Sequence, residues 1–380
     1  MCGIVKMRDI GGDVQDTAAH GLSLSCGKVL GRPFCNVQGR LKVNLSFDIK
    51  FNFNVNSVRA NLPAQRRQPH MQTILGANGQ IATELARTLH QHHTGDLRLV
   101  SRNPRKVNDD DTLMAANLLD AGQTAQAVKG SRIVYFTAGL PPDSTLWEEQ
   151  FPVMLKNALQ ACRAAGANFA YFDNTYMYPQ NSQIQTEETR FAPVGRKGRV
   201  RAAMASMVLE EMARGDIPVL IARAPEFYGP GKTQSFTNAL IIDRLKAGRR
   251  PLVPVRDDTR RTLIWTPDAS RALATLGNTP DAYGQSWHLP CCDDRPTYKT
   301  FVTMASRAFD RTPSYSVIGK WSLIIAGILS KRVREIKELL PRYEQDNFFD
   351  STKFKRHFPE FSVTTYEGGL QLIRNEWRGG

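Results

Sequence analysis

No run of about 20 apolar residues occurs in this 380-residue chain, so a membrane-crossing helix is not expected. The longest apolar stretch, Trp321 to Leu329, is interrupted by Ser322 and Gly327 and reads as a buried helix. A secretory signal is also missing: no charged start is followed by an apolar core and a small-residue cleavage site. Cysteines number six, at positions 2, 26, 35, 162, 291 and 292, without a C-x-x-C pair. That spacing offers no zinc site, and adjacent Cys291 and Cys292 make a poor disulfide, so free thiols in a reducing cytoplasm are expected. Acidic residues are short relative to basic ones, 36 against 50, which leaves a net charge of +14. The surplus suits an anionic ligand or a solvated surface. A nucleic-acid partner would rest on charge alone and is not expected.

The basic excess is uneven. Residues 1–70 carry ten Lys or Arg against four Asp. Met1 to Val5 resemble the start of glutamine amidotransferases with an N-terminal cysteine nucleophile, but five residues carry that likeness and no such domain fits before Gly76. From Leu41 to Val55 apolar and polar residues alternate with the period of a strand. Pro63 to Pro69 reads as a basic linker. Met71 is therefore expected to be the working start, with residues 1–70 an appended, poorly ordered leader; a targeting or interaction arm is the rival reading.

The informative stretch begins at Gln72. A short apolar run stops at Gly76, and a helical spacing of Ile81, Leu85 and Leu89 starts at once. Strand, glycine turn and helix leave backbone N–H groups and a helix N-terminus pointing at one spot, which favours a pyrophosphate. Gly76 permits the turn, Gly79 lets the backbone approach the phosphates, and small Ala82 lets the helix sit close on the strand. Asn78, Gln80 and Ile81 complete that turn. Strands follow at Leu97–Val100, Leu113–Ala116, Ile133–Thr137, Phe169–Phe172 and Val219–Ala222, with helices through Phe151, Leu155 and Leu159 and from Arg201 to Met212. The alternation predicts a Rossmann-type, doubly wound parallel sheet, with ligands outside the carboxyl ends of its strands. After the second strand no acid stands ready for a ribose hydroxyl. Arg102, Arg105 and Lys106 crowd the position instead. A guanidinium forks onto a phosphate, so NADP is favoured, with NAD the alternative.

From Met71 onward the chain resembles an extended short-chain dehydrogenase/reductase of the epimerase/dehydratase kind. Gly76 to Ala82 resembles the GxxGxxG turn of that superfamily, and Arg223-Ala224-Pro225-Glu226-Phe227-Tyr228-Gly229-Pro230-Gly231 its RPxxxYGPG segment. Asn117-Leu118-Leu119-Asp120 resembles the adenine-side segment, Phe136-Thr137-Ala138-Gly139 the fourth-strand end along the cofactor, and Thr262 to Ala272 a later docking segment. Phe348 to Phe354 resembles the segment that introduces the final short helices. The resemblance implies cofactor contacts at Asn117, Leu118, Thr137, Ala138 and Gly139. It also implies a nucleotide-binding domain over 71–230 with parts of 260–290, and a smaller C-terminal α/β substrate domain over 231–380. Helices of the latter are expected at Thr233–Arg249, Leu263–Leu276 and Tyr298–Phe309. A small-molecule substrate follows, and a homodimer is left open.

The catalytic pattern departs from the superfamily's. Its Ser/Thr position is Asn174, with hydroxyl-bearing Thr175 beside it and Tyr178 closing the segment. Its Tyr-x-x-x-Lys pair is replaced by Lys197 and Arg201. An amide at Asn174 still bonds a substrate oxygen. Arg201 still offers donors to a ribose but cannot release a proton at neutral pH. Lys197 would exchange a proton only with a depressed pKa, toward which Arg196 and Arg199 are expected to push it; otherwise Tyr176 or Tyr178 would supply a phenol. Asp173 reads equally as a structural carboxylate or as part of the substrate site. Two functions remain: an NAD(P)-dependent epimerase, dehydratase or reductase of a sugar-nucleotide or other oxo/hydroxy compound with a modified proton relay, or a catalytically silent NAD(P)-binding regulator.

Overall fold

The computed structural model of the protein describes Ser23–Val29, Arg32–Gln38 and residues 71–379 apart from 232 and 336. In the first 64 residues, a unit of its own, β1 (Ser23–Val29) and β2 (Arg32–Gln38) pair antiparallel with Val29 opposite Arg32. That hairpin was not anticipated. The strand expected over Leu41 to Val55 and the linker from Pro63 to Pro69 lie outside the described residues.

The second unit begins with β3 (Gln72–Leu75), α1 (Gln80–His92), β4 (Leu97–Ser101), β5 (Thr112–Ala115), α2 (Ala121–Val128) and β6 (Ile133–Phe136). It continues through α3 (Ser144–Ala165), β7 (Asn168–Asp173), β8 (Ile184–Gln185), α4 (Gly195–Arg214), β9 (Val219–Arg223) and β10 (Glu226–Tyr228). A π-helical turn at Asn238–Ile242 leads into α5 (Asp243–Lys246), β11 (Leu252–Pro254), β12 (Leu263–Trp265), α6 (Thr266–Gly277), β13 (Gln285–His288) and α7 (Tyr298–Ala308). The remainder is β14 (Ser316–Ile318), α8 (Lys320–Leu329), α9 (Lys331–Arg334), a 3-10 turn over Lys337–Tyr343, β15 (Phe348–Phe349), α10 (Thr352–His357) and α11 (Tyr366–Gly379).

Seven strands form one parallel sheet in the order β13-β9-β7-β6-β3-β4-β5. Its central strands are buried throughout because both faces are covered, and apolar except for Gln72 and Thr73 of β3 and Arg223 of β9. Alternate residues serve opposite faces. Ile74 and Tyr135 pack with Leu85, Leu89 and Leu273 from α1 and α6, whereas Leu75 and Phe136 pack with Val128, Phe151 and Val208 from α2, α3 and α4. Local chemistry fixes the ends of α3: the Asp143 carboxylate accepts from Thr145 N at 3.0 Å, and Gly166 adopts the left-handed conformation that stops the helix. Two-strand pairs β10·β12 and β11·β14 carry elements that share a third core around Tyr228, Phe301 and Leu370, whereas β15, paired with β8, packs Phe349 into the core of α1 and α6.

Several boundaries move. α4 begins at Gly195, six residues before the expected Arg201, because a carboxylate from far along the chain caps it. β13, a seventh strand, was missed. The stretch Leu263–Leu276 is a strand and then a helix, and that helix lies on the nucleotide-binding sheet: Ser270 Oγ donates to Ile81 O of α1 at 3.0 Å. α8 forms over the apolar run, but Trp321, Ile325 and Ile328 are exposed rather than buried.

Candidate functional site

At the end of β3 the chain reverses at Gly76, where φ is +97°. A Cβ there would sit 2.6 Å from the Ala138 Cα, so only glycine lets the turn lie against the end of β6. The Gly76 and Ala77 N–H groups donate to Val100 O at 2.9 and 3.0 Å, which fixes the turn. Gly79 precedes α1 and has no side chain to cap it. The first-turn N–H groups therefore stay available, and a cradle without side chains surrounds them. This arrangement fits a pyrophosphate. The Gln80 side chain turns away and donates to Pro230 O at 3.0 Å and Thr266 Oγ1 at 2.7 Å, leaving its N–H at the turn. Ile81 follows, partly buried, and Ala82 is fully inside.

The other sequence-predicted cofactor residues fall at neighbouring strand ends. Asn78 Nδ2 donates to Asn103 O at 2.7 Å and ties the turn to the loop after β4, in which Arg102 is exposed. Exposed Asn117 accepts from Leu119 N at 3.2 Å after β5, beside buried Leu118. Thr137 Oγ1 donates to Leu75 O at 3.0 Å, and Ala138 and Gly139 lead away from β6.

Lys197 and Arg201, two of the residues expected from the sequence to be catalytic, gather with Tyr176 around Trp147 of α3. Its indole stacks on Tyr176, with centroids 6.1 Å apart and planes 12° from parallel. The Arg201 guanidinium lies 5.1 Å from the indole centroid and the Lys197 ammonium 6.0 Å, so the two residues one helical turn apart share a side. Arg201 also approaches Asp173 Oδ1 at 3.8 Å and Tyr171 OH at 3.4 Å. Lys197 is buried. Its ammonium donates to Ser144 Oγ at 2.8 Å and to Glu335 O at 2.9 Å, and pairs with the Glu335 carboxylate and with Glu338 Oε1 at 3.3 Å. This corrects the expected electrostatics: the groups facing Lys197 are anions, and Arg196 points instead at Glu148. Burial opposes ionisation of Glu335, but its bonds to Lys197 and Ser144 outweigh burial and hold its carboxyl below the usual range.

Glu338 has a second task. Val194 offers α4 no side-chain cap, and Glu338 accepts from Arg196 N at 2.6 Å and Lys197 N at 3.1 Å in its place. Gly195, with φ +76°, makes room: a Cβ there would collide with the Glu338 side chain. Farther along the same segment, Arg342 donates to Thr175 Oγ1 at 2.7 Å and Thr175 O at 3.1 Å, and lies over the Tyr176 ring. Asn174 Oδ1 accepts from Tyr176 N at 3.0 Å, which turns the chain after β7.

Tyr178 is set apart from this group. Its phenol is sealed inside, bonded to His288 Nε2 at 2.8 Å and accepting from Arg223 Nη1 at 3.1 Å. His288 Nδ1 lies 2.8 Å from Asp350 O, so Nδ1 carries the proton and Nε2 accepts from the phenol. Burial pushes Tyr178 up to about 12 and His288 down to about 3, keeping both neutral. Arg223 also reaches Asp173 Oδ2 at 3.4 Å; burial raises the Asp173 carboxyl in spite of Arg223 and Arg201. A further cluster joins Glu226 to Arg261 at 3.0 Å, to Thr237 Oγ1 and Tyr298 OH at 2.8 Å each, and to Tyr343 OH at 3.4 Å. Sequence reasoning named Arg223 and Glu226 only as landmarks and missed His288, Glu335, Glu338 and Arg342. Of these, His288 alone had a local signal, as the histidine that ends a short strand pattern.

The model of the NAD dependent epimerase/dehydratase family matches residues 73–289, from the glycine turn through β13. The chain belongs to this family. A ceramide reductase from Caulobacter vibrioides (strain NA1000 / CB15N) is 30% identical over 218 residues, covering 54% of this chain and 61% of that protein's length. The NAD complex of the Bacillus cereus UDP-glucuronic acid 4-epimerase is 14% identical, covering 81% of this chain and 99% of that one with a TM-score of 0.65. The Thermus thermophilus UDP-glucose 4-epimerase with NAD is 13% identical, covering 82% and 99% at a TM-score of 0.65. At such identities the solved structures establish the shared extended dehydrogenase/reductase fold, which this epimerase/dehydratase-family chain keeps.

Proposed function

We propose that this protein is an NAD(P)-dependent oxidoreductase of an oxo/hydroxy small molecule, with Lys197 in the proton-exchanging role that a tyrosine holds elsewhere in the superfamily. A nicotinamide bound along the strand ends would give or take a hydride. The chain's own residues do the rest. Gly76, Gly79 and the first turn of α1 hold the pyrophosphate, and Arg102 reads a ribose phosphate, which favours NADP. Arg201 steadies the nicotinamide ribose. The Asn174 amide donates to the substrate oxygen. When a carbonyl is reduced, the Lys197 N–H bond breaks and its proton goes to the alkoxide oxygen, leaving a neutral amine that solvent reprotonates. The observation that carries this reading is the Lys197 ammonium, buried beside Trp147 one turn before Arg201. The reductase among the relatives supports an oxo substrate, whereas the epimerases among the solved structures support a sugar-nucleotide.

The two carboxylates on Lys197 favour a second reading, a silent NAD(P)-binding protein in which the lysine only holds the segment around Glu335. Purified protein assayed for hydride transfer on sugar-nucleotides and ketones separates the two. Lys197→Ala should lower turnover by roughly 100- to 10,000-fold with cofactor binding retained, and Arg201→Ala should weaken cofactor binding. Full turnover in Lys197→Ala would remove the proton-relay proposal, and a panel without any activity in the wild type would favour the silent protein.

A further inference from the structure

α8 presents a face that the rest of the described structure leaves open. Trp321, Ile325 and Ile328 recur at helical spacings of four and three, so they share one side, and they are 76%, 61% and 73% exposed. The opposite side faces the molecule: Gly327 is buried, and a Cβ there would meet Arg334 Cα of α9 at 3.4 Å. Large apolar side chains clustered in this way on a helix surface mark an interaction site. Charge selects the partner. Residues 331–334 read Lys-Arg-Val-Arg, and Arg334 and Lys337 are exposed. The three acids between residues 311 and 345 already face cations: Glu335 and Glu338 meet Lys197, and Glu344 meets Lys320 at 2.6 Å. The exposed face of α8 is therefore apolar, with a tryptophan in it, and the exposed bases Arg334 and Lys337 follow it in the chain.

We infer that α8 is a docking helix for an anionic lipid bilayer, lying in the interface with Trp321, Ile325 and Ile328 turned toward the acyl chains. The basic residues after it then meet lipid phosphates. Among the described residues no helix is long and apolar enough to cross a membrane, so the attachment is peripheral. An indole suits the interface because one edge is apolar and its N–H bonds to headgroups. This inference is independent of the proposed reaction, since it concerns a surface and not the Lys197 site.

The test is co-sedimentation of the full chain with vesicles of phosphatidylcholine alone or mixed with phosphatidylglycerol. The wild type should sediment with the mixed vesicles and less at higher ionic strength. Trp321→Ser/Ile325→Ser/Ile328→Ser should lower that partitioning by more than about tenfold, since three side chains lose their apolar burial. Arg334→Glu/Lys337→Glu should erase the preference for the anionic vesicles. Melting curves and circular dichroism establish that each variant folds, and the exposed positions make that expected. A wild type that ignores both vesicles overturns the inference, as does a triple variant that binds as well as the wild type. Light scattering supplies a third way to lose it: a wild-type dimer that the triple variant splits, without vesicle binding, makes α8 a contact between copies of this chain.

Discussion

Arg102 and His288 show how far one side chain carries an argument. Arg102 stands exposed after β4, in a loop held to the glycine turn through Asn78 and Asn103. Arg102→Ala should weaken NADP(H) binding by about 1.5–3 kcal/mol and leave NAD(H) nearly unchanged in titration calorimetry. Equal losses would mean that it reads no phosphate. His288 leads to a pH effect. Its folded value of about 3 lies below the ordinary 6.5, so between these values the unfolded chain binds a proton that the folded chain does not. Its stabilising contribution is complete above the unfolded value and shrinks as pH falls toward the folded one. Going from pH 7 to pH 5, the wild type should lose about 2 kcal/mol more stability than His288→Gln, read from urea melts at both pH values. Parallel losses would show that the histidine ionises in the folded protein.

At the scale of elements, α4 depends on a residue more than a hundred positions away. Glu338 caps its first turn across Gly195. Gly195→Ala places a Cβ in the left-handed region, which costs about 1–2 kcal/mol. It also pushes Glu338 off the cap, adding about 0.5–2 kcal/mol. Chemical denaturation should record the sum, and Lys197 should acylate faster in mass-spectrometric footprinting once the Glu338 carboxylate is displaced. A variant as stable and as unreactive as the wild type would deny the cap. This contact also marks the limit of sequence reading. The strands of the nucleotide-binding half were legible because each is a short apolar run beside a helical period. Gly76 was legible because its turn chemistry is local. The start of α4, the burial of Lys197 and the strand β13 were not. The first two depend on Glu335 and Glu338 and the third on pairing with β9, and spacing along the chain carries no record of such pairings. α8 failed for the opposite reason: apolar composition says that a helix forms, but not that another element arrives to cover it.

For the whole molecule, all seven strands of the sheet and every side chain of the three clusters lie in the unit that begins at residue 65, and residues 1–64 form the other. A chain started at Met71 should therefore melt cooperatively, within about 2–4 °C of the full protein, a difference equivalent to roughly 1 kcal/mol. It should also bind cofactor equally well. Insolubility of the shortened chain would show that the leading residues complete the fold.

The pairing of Glu335 and Glu338 with Lys197 has a kinetic meaning as well. A substrate that needs this ammonium meets a rival already tethered to the same molecule, present at the high effective concentration that a covalent link confers. Its measured affinity is then its intrinsic affinity scaled by the fraction of molecules in which the rival has let go. Discrimination between substrates would start there: a ligand carrying its own carboxylate or phosphate can take over the ammonium's charge, and a neutral ligand cannot.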